Sequence, residues 1–217
     1  MDLEELPRYF PDGDVYAIEE NGKFYLLGSA LESLADAEAI RAEAARRLDL
    51  FAAAISLLWT SMRKPRLGNV IREEDGKRRI FIEVEDTVSS RSKVSATISG
   101  SPVQPVQKTQ AQEILARADK SPHLKEALQV WADPLRSWPR LYRVLEELER
   151  HLGQSVDKAG FCSNNEKERF TRSANSAHVS GIDARHAGGK FQPPANPMTL
   201  REATDFVRKM LIAVTQE

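Results

Sequence analysis

Residues 169–186 read R-F-T-R-S-A-N-S-A-H-V-S-G-I-D-A-R-H. This stretch gathers three arginines, two of the chain's four histidines, Asn175 and Asp183. A guanidinium holds phosphate oxygens in a fork of donors, and an imidazole moves protons near neutral pH. The chemistry such a set could do is phosphate handling, with an anion clamp beside a general acid or base.

Arg172 and His178 lie six positions apart, which on one continuous helix is about 600° of rotation. A helix that ends near Asn175 lets His178 fold back toward Arg172. In the functional reading His178 is the acid or base and Arg172 the clamp on phosphate or transition state. In the plainer reading they are an exposed Arg and an exposed His at a helix end, which is the commoner outcome for a chance pair. Asp183-Ala184-Arg185-His186 is a second constellation. In a tight turn Arg185 and His186 can meet one anion, with Asp183 orienting either. The alternative is a polar knot that ties a Gly/Pro-rich loop onto the helices, because such a loop has no ladder partners for its backbone groups. Asn175 reads as a helix C-terminal residue or as a ligand contact.

Other positions carry weaker signals. Cys162 precedes a helix start, where a thiol pKa can fall, but no histidine is near it in sequence, so it reads first as a small core residue. His151, near the end of its helix, complements the dipole. Trp131 and Trp138 flank Asp133-Pro134 and read as packing rather than base stacking. Arg63, Lys64, Arg66, Arg72, Lys77, Arg78 and Arg79 form a basic patch that Glu73, Glu74 and Asp75 interrupt. It reads as a solvated face first and a phosphate-tracking surface second.

These residues need a scaffold, and the composition supplies one. The chain has 217 residues, 41% hydrophobic and 29% charged, enough for one large domain or two small ones. Its net charge of -1 gives no global pull toward nucleic acid or membrane, so any anion site is local. A single cysteine rules out an intrachain disulfide and a cysteine-built zinc site, and it suits a reducing compartment. The acidic start MDLEELPRYF lacks the features of a signal peptide, and the longest apolar run, residues 51–60, is too short to span a bilayer. A cytoplasmic protein is expected, with no membrane partner, no cofactor and no metal.

The predicted fold class is α+β: a small antiparallel sheet packed on a long helix, then a helical lobe. Residues 1–100 form the mixed lobe, 101–108 a linker and 109–217 the helical lobe. Asn21-Gly22 predicts a tight hairpin turn within residues 14–28. Residues 36–62 predict a long helix, striped by Leu34, Ala37, Ile40, Ala44, Leu48, Phe51, Ile55 and Leu58. Its second half is apolar nearly all round and is expected to be buried on more than one side. A second hairpin is expected around Asp75-Gly76 and another strand at residues 93–99, for about five strands in all. Gly100, Pro102 and Pro105 mark the linker.

Beyond the linker, residues 109–118 predict a helix. Ser121-Pro122 and Ser137 with Pro139 then open two more. Ser163-Asn164-Asn165-Glu166 and Thr199-Leu200-Arg201-Glu202 are capping boxes for the last two helices. The loop between these is rich in Gly and Pro. Leu48, Phe51, Ile55, Leu58, Leu141, Leu145, Leu148, Phe206 and Met210 are the expected core.

The helical part resembles the HEPN superfamily, whose members are helical bundles in toxin–antitoxin and phage-defence systems. The resemblance rests on R172-S-A-N-S-A-H178 near a helix end, a following loop with ARHAGG, and the closing amphipathic helix TLREATDFVRKMLIAV. The chain is also similar to bacterial proteins of unassigned role that carry RF-x-x-x-AN and ARH stretches before a PMTLREA-like helix start. In that superfamily a polar Asn or Asp often follows the arginine, where this chain has Ser173. The resemblance implies a metal-independent ribonuclease in which the arginine and histidine meet at a dimer interface and the ribose 2′-hydroxyl attacks the phosphate. Arg172 would then be the clamp and His178 the proton shuttle, with Asn175, Asp183, Arg185 and His186 contacting the substrate. The superfamily also has non-catalytic members. The alternative expectation is therefore a subunit that uses the Arg/His loop to hold a phosphate-bearing ligand or a partner protein. The partners implied are RNA or another phosphate-bearing ligand, and a second copy of the chain or a partner protein.

Overall fold

The computed structural model describes residues 6–58, 65–74, 78–85, 109–184 and 192–216. The elements of the first part are α1 (Leu6–Tyr9), β1 (Tyr16–Glu20), β2 (Lys23–Leu27), α2 (Ser29–Glu32), α3 (Ala37–Leu58), β3 (Arg66–Glu74) and β4 (Arg78–Glu85). Helices then take over: α4 (Gln110–Ala118), α5 (Pro122–Ala132), α6 (Trp138–Leu152), α7 (Asn164–Asn175) and α8 (Ala177–Ser180). A 3-10 turn at Gly181–Asp183 and α9 (Leu200–Gln216) complete the order. The fold class is α+β with a helical C-terminal part. The chain divides into two compact units, Met1–Leu48 with Met62–Glu113 and Asp49–Ser61 with Ile114–Glu217.

In the first unit the described strands form one antiparallel sheet in the order β1-β2-β4-β3. β1 and β2 pair from Tyr16 opposite Leu27 to Glu20 opposite Lys23. Asn21 (φ 53°) and Gly22 (φ 74°) both adopt the left-handed conformation that a type I′ turn requires. Ala17, Phe24 and Leu26 are buried on one face of the hairpin and Glu20 is exposed on the other, while Glu19, opposite Phe24 on the first face, is exposed beside the turn. Gly28, at φ 143°, lies so close to Asp14 that a Cβ would stand 2.1 Å from its carbonyl oxygen. That same carbonyl accepts from the Ala30 amide at 3.1 Å, which brings α2 back against the start of β1.

β3 and β4 pair with a register shift between Leu67 and Val70. Such a bulge leaves backbone groups without ladder partners. Arg41 of α3 takes them up, donating to the Gly68 carbonyl at 2.7 Å and the Leu67 carbonyl at 3.3 Å. α4 opens on Thr109, whose hydroxyl accepts from the Gln112 amide at 3.2 Å while the Gln112 side chain accepts from the Thr109 amide at 2.9 Å.

The second unit holds the end of α3 with α5 to α9. Ala52, Ala53, Ala54, Ile55 and Leu57 are all buried, so this end of the long helix is enclosed all round, as its composition predicts. Trp131 donates its indole N–H to Ser56 at 2.8 Å, and Arg208 donates to the Leu57 carbonyl at 2.6 Å, where the helix begins to run out of internal partners. Phe170 is fully buried, with its ring 5.3 Å from Phe206, 6.0 Å from Tyr142 and 6.2 Å from Trp138.

Eight expected core residues are buried: Leu48, Phe51, Ile55, Leu141, Leu145, Leu148, Phe206 and Met210. Leu58 is half-buried. The predicted helix starts at Ser121, Ser163 and Thr199 stand, and each side chain caps its helix. Ser137 precedes α6 without a side-chain cap bond. The stretch expected to be loop after Asn175 opens instead with α8 and the 3-10 turn. The predicted strand at 93–99, the linker at 101–108, and Asp75-Gly76 lie outside the described residues.

Burying a leucine contributes roughly 1.5–3 kcal/mol, and an unpaired carboxylate in its place adds a desolvation penalty. Leu145→Asp is therefore expected to abolish cooperative unfolding of the helical unit, read by circular dichroism during heating. An unchanged thermal midpoint would remove Leu145 from the core.

Candidate functional site

α7 carries the residues singled out by the sequence, and its start is firmly set. The Ser163 hydroxyl accepts from the Glu166 amide at 3.2 Å, and Glu166 accepts in return from the Ser163 amide at 2.8 Å. The helix buries Phe170, Ser173 and Ala174. That rotation leaves Arg172, in the last turn, exposed.

The helix stops at Asn175 because Ser176 is extended, at φ -90° and ψ 119°. α8 then restarts on the Ser176 carbonyl, which accepts from the Val179 and Ser180 amides at 3.0 and 2.9 Å. The Ser180 hydroxyl holds the corner, donating to Ser176 at 2.9 Å and back to the last turn of α7 at Ala174, 3.2 Å away. His178 therefore sits on a separate short helix, and it is exposed. Among the described residues no hydrogen bond joins Arg172 to His178. Arg172 donates instead to the Pro193 carbonyl at 3.3 Å.

Asn175 is half-buried, and its side-chain oxygen is buried with no partner among the described residues. The Ser176 hydroxyl beside it is in the same state. Asp183 closes the 3-10 turn, half-buried, next to a fully exposed Ile182. Arg185 and His186 lie outside the described residues.

Arg169 and Ser173, given no role by the sequence reading, organise this region. Arg169 donates to the Asn196 carbonyl at 2.7 Å, the Pro197 carbonyl at 3.3 Å and the Glu202 carboxylate at 2.8 Å. Ser173, fully buried, accepts from the Met198 amide at 2.9 Å and donates to the Arg169 carbonyl at 2.7 Å. The Thr199 amide and the Arg169 guanidinium hold the Glu202 carboxyl down to about 2. The polar ties expected of a Gly/Pro-rich loop are thus present, but on Arg169, Arg172 and Ser173. Their i, i+3, i+4 spacing puts them on one side of a helix, and that was the available signal.

A second polar cluster joins α5 to α6. Glu147 has a fully buried carboxylate, and it meets His123 Nδ1 at 2.8 Å, Arg143 at 3.0 Å and Arg150. Burial pushes this carboxyl up, but the His123 bond and the two guanidinium groups outweigh it and hold it below the usual range. Arg143 also pairs with Glu126 at 2.5 Å. His151, expected to answer the helix dipole, also has its Nδ1 2.8 Å from the Ser121 hydroxyl.

Cys162 is half-buried. Its thiol is pushed up to about 11, by burial first and then by the nearby Glu166 and Asp157 carboxylates, so the helix start does not activate it. Trp131 and Trp138 are both buried, and the Arg136 guanidinium lies 4.0 Å from the centre of the Trp131 ring. Among the described residues no group of three or more His, Cys, Asp or Glu could hold a metal ion, and no helix is long and apolar enough to cross a membrane. Comparison of the chain with protein-family models, curated proteins and solved structures finds no match.

Two measurements test this description. Ser173→Ala leaves the buried Met198 amide without its acceptor, so it is expected to lower stability by about 1–3 kcal/mol in urea unfolding. A smaller loss than that would mean the loop end is not held here. Cys162 is protonated below its pKa of about 11. Its labelling by a disulfide reagent is therefore expected to be slow at neutral pH and to rise tenfold per pH unit toward that value. A plateau reached near pH 8 would contradict the raised thiol.

Proposed function

We propose that the helical unit is a HEPN-like, metal-independent ribonuclease module in a bacterial defence or toxin–antitoxin setting, completed by a second copy of the chain. The observation that carries this reading is the α7–α8 corner. Arg172 and His178 flank one bend, both exposed, with Asn175 between them. An open corner of exposed side chains suits a site that needs a second surface. There Arg172 would steady the charge on a phosphodiester, and His178 would exchange a proton with the attacking 2′-hydroxyl or the leaving oxygen. The resemblance supplies the reaction class, and the exposure of the pair supports it.

A second reading is a non-catalytic subunit that holds a phosphate-bearing ligand or a partner protein. It is favoured by the arginines themselves. Arg169 is engaged with the loop end and Glu202 through Nε and one terminal nitrogen, and Arg172 gives one donor to Pro193. Two of the arginines in the stretch thus fasten structure.

The test is incubation of the purified protein with total RNA and tRNA in EDTA, beside an Arg172→Ala/His178→Ala double variant. The first reading expects cleavage by the wild type alone, with 2′,3′-cyclic phosphate ends. Equal cleavage by both proteins would sink the Arg172/His178 assignment. No cleavage by either would leave the binding role, expected as saturable uptake of a phosphate-bearing probe without turnover.

A further inference from the structure

Two arginines of α7 meet the segment 193–198, and they keep different amounts of donor capacity. A guanidinium presents its N–H groups as two forks, one from Nε with Nη2 and one from Nη1 with Nη2, and a fork is what grips two oxygens of one phosphate. Arg169 gives Nε to the Asn196 carbonyl, and Nη2 to both the Pro197 carbonyl and the Glu202 carboxylate. With two acceptors on the two hydrogens of Nη2, neither fork of Arg169 is whole. Arg172 gives Nη2 to the Pro193 carbonyl at 3.3 Å. Nη2 carries one hydrogen in each fork, so this single bond leaves one fork of Arg172 whole. Among the described residues no carboxylate pairs with Arg172, and the residue is exposed.

The acceptor that Arg172 meets is stiff for a reason written in the sequence. The ring of Pro193 fixes its own φ, and Pro194 after it restricts its ψ. Both torsions that set the direction of the Pro193 carbonyl are therefore limited by the chain itself.

The same segment is clipped down further along. Arg169 holds Asn196 and Pro197 by their carbonyls. The buried Ser173 hydroxyl takes the Met198 amide at 2.9 Å, and the Met198 side chain is itself buried. Glu202, in the first turn of α9, ties the Arg169 guanidinium to that helix at 2.8 Å. A long and otherwise free arginine side chain thus meets a carbonyl that is held in place.

We propose that residues 193–198 form a strap that aims Arg172 at a phosphodiester, with Arg169 as the positioning residue that fixes the strap. The Pro193 carbonyl takes one donor, and the remaining fork is left for the two non-bridging oxygens of one phosphate. Holding that fork before the ligand arrives removes part of the cost of ordering a long side chain. Arg169 does not grip the phosphate, because neither of its forks is whole. The inference rests on Arg172 as the anion clamp of the proposed function, and it adds how that clamp is held.

The deciding experiment is arginine side-chain NMR of the full chain in EDTA, titrated with a short oligothymidylate, a phosphodiester that has no 2′-hydroxyl to attack it. In the wild type the Arg172 Nη signals are expected to be split by hindered rotation and to shift saturably as the ligand is added. In Arg169→Gln those signals are expected to merge, and the dissociation constant to rise roughly 2–10-fold, the cost of ordering one long side chain on binding. Pro194→Ala removes no hydrogen bond to α7 and frees the Pro193 carbonyl, so it is expected to act in the same direction, and it decides the matter if Arg169→Gln does not fold. Unchanged Arg172 signals and affinity in the folded variants overturn the positioning role and leave Arg172 as the clamp. Weaker binding with unchanged Arg172 signals also overturns it, because Arg169 would then act other than through Arg172. No shift at Arg172 in the wild type overturns the clamp and this inference together.

Discussion

Burial of Phe170 is the constraint on which the helical unit turns. Its ring is enclosed by Trp138, Tyr142 and Phe206, from α6 and α9. That contact fixes the rotation of α7 about its own axis. Once Phe170 faces inward, Ser173 and Ala174 follow on the next turn, and Arg169 and Arg172 are carried to the rim. The positions of the two arginines are thus consequences of an aromatic contact that neither makes. A hydrophobic side chain selects the face, and the charged ones act from wherever that selection leaves them.

Polar bonds do the finer work. The chain between α8 and α9 is poor in amide donors, since Pro193, Pro194 and Pro197 have none. Its carbonyls therefore need donors from outside. Arg169 and Arg172 provide them, and Ser173 receives the buried Met198 amide. A serine after Arg172 is small enough to sit fully buried there and still both donate and accept. At the other end of the unit the logic is reversed. A carboxylate is buried in Glu147, and cations and an imidazole gather to keep it ionised. Leaving such a charge unpaired is costly, so the surrounding side chains are the more tightly specified.

Much of the scaffold could be read from local rules. Asn21-Gly22 announces its turn, Ser163 and Thr199 announce helix starts, and the leucine spacing on α6 announces its buried face. These signals are legible because each depends on residues within a few positions of one another. The site is less legible because it depends on partners far apart in the chain. Nothing local at Arg169 says that it meets Glu202, and nothing at His123 says that it meets a carboxylate on α6. The break at Ser176 was foreseeable only as a helix end; the restart as α8 depends on Ser180 reaching back to Ala174. Cys162 shows the same limit. A helix start can lower a thiol pKa, but burial first, and then the Glu166 and Asp157 carboxylates, raise that of Cys162.

The hairpin turn has a consequence in time rather than in energy. Asn21 and Gly22 are exposed, and a Cβ on Gly22 would meet nothing within 4 Å. A glycine after asparagine leaves its amide nitrogen open to the side-chain carbonyl, and closure of that ring ends in aspartate or isoaspartate. Each such event adds a negative charge beside Glu19 and Glu20, and isoaspartate lengthens the backbone of a turn built from two residues. The residue pair that makes the reversal between β1 and β2 is therefore also where the chain ages chemically, and old protein would be told from new by one charge at that tip.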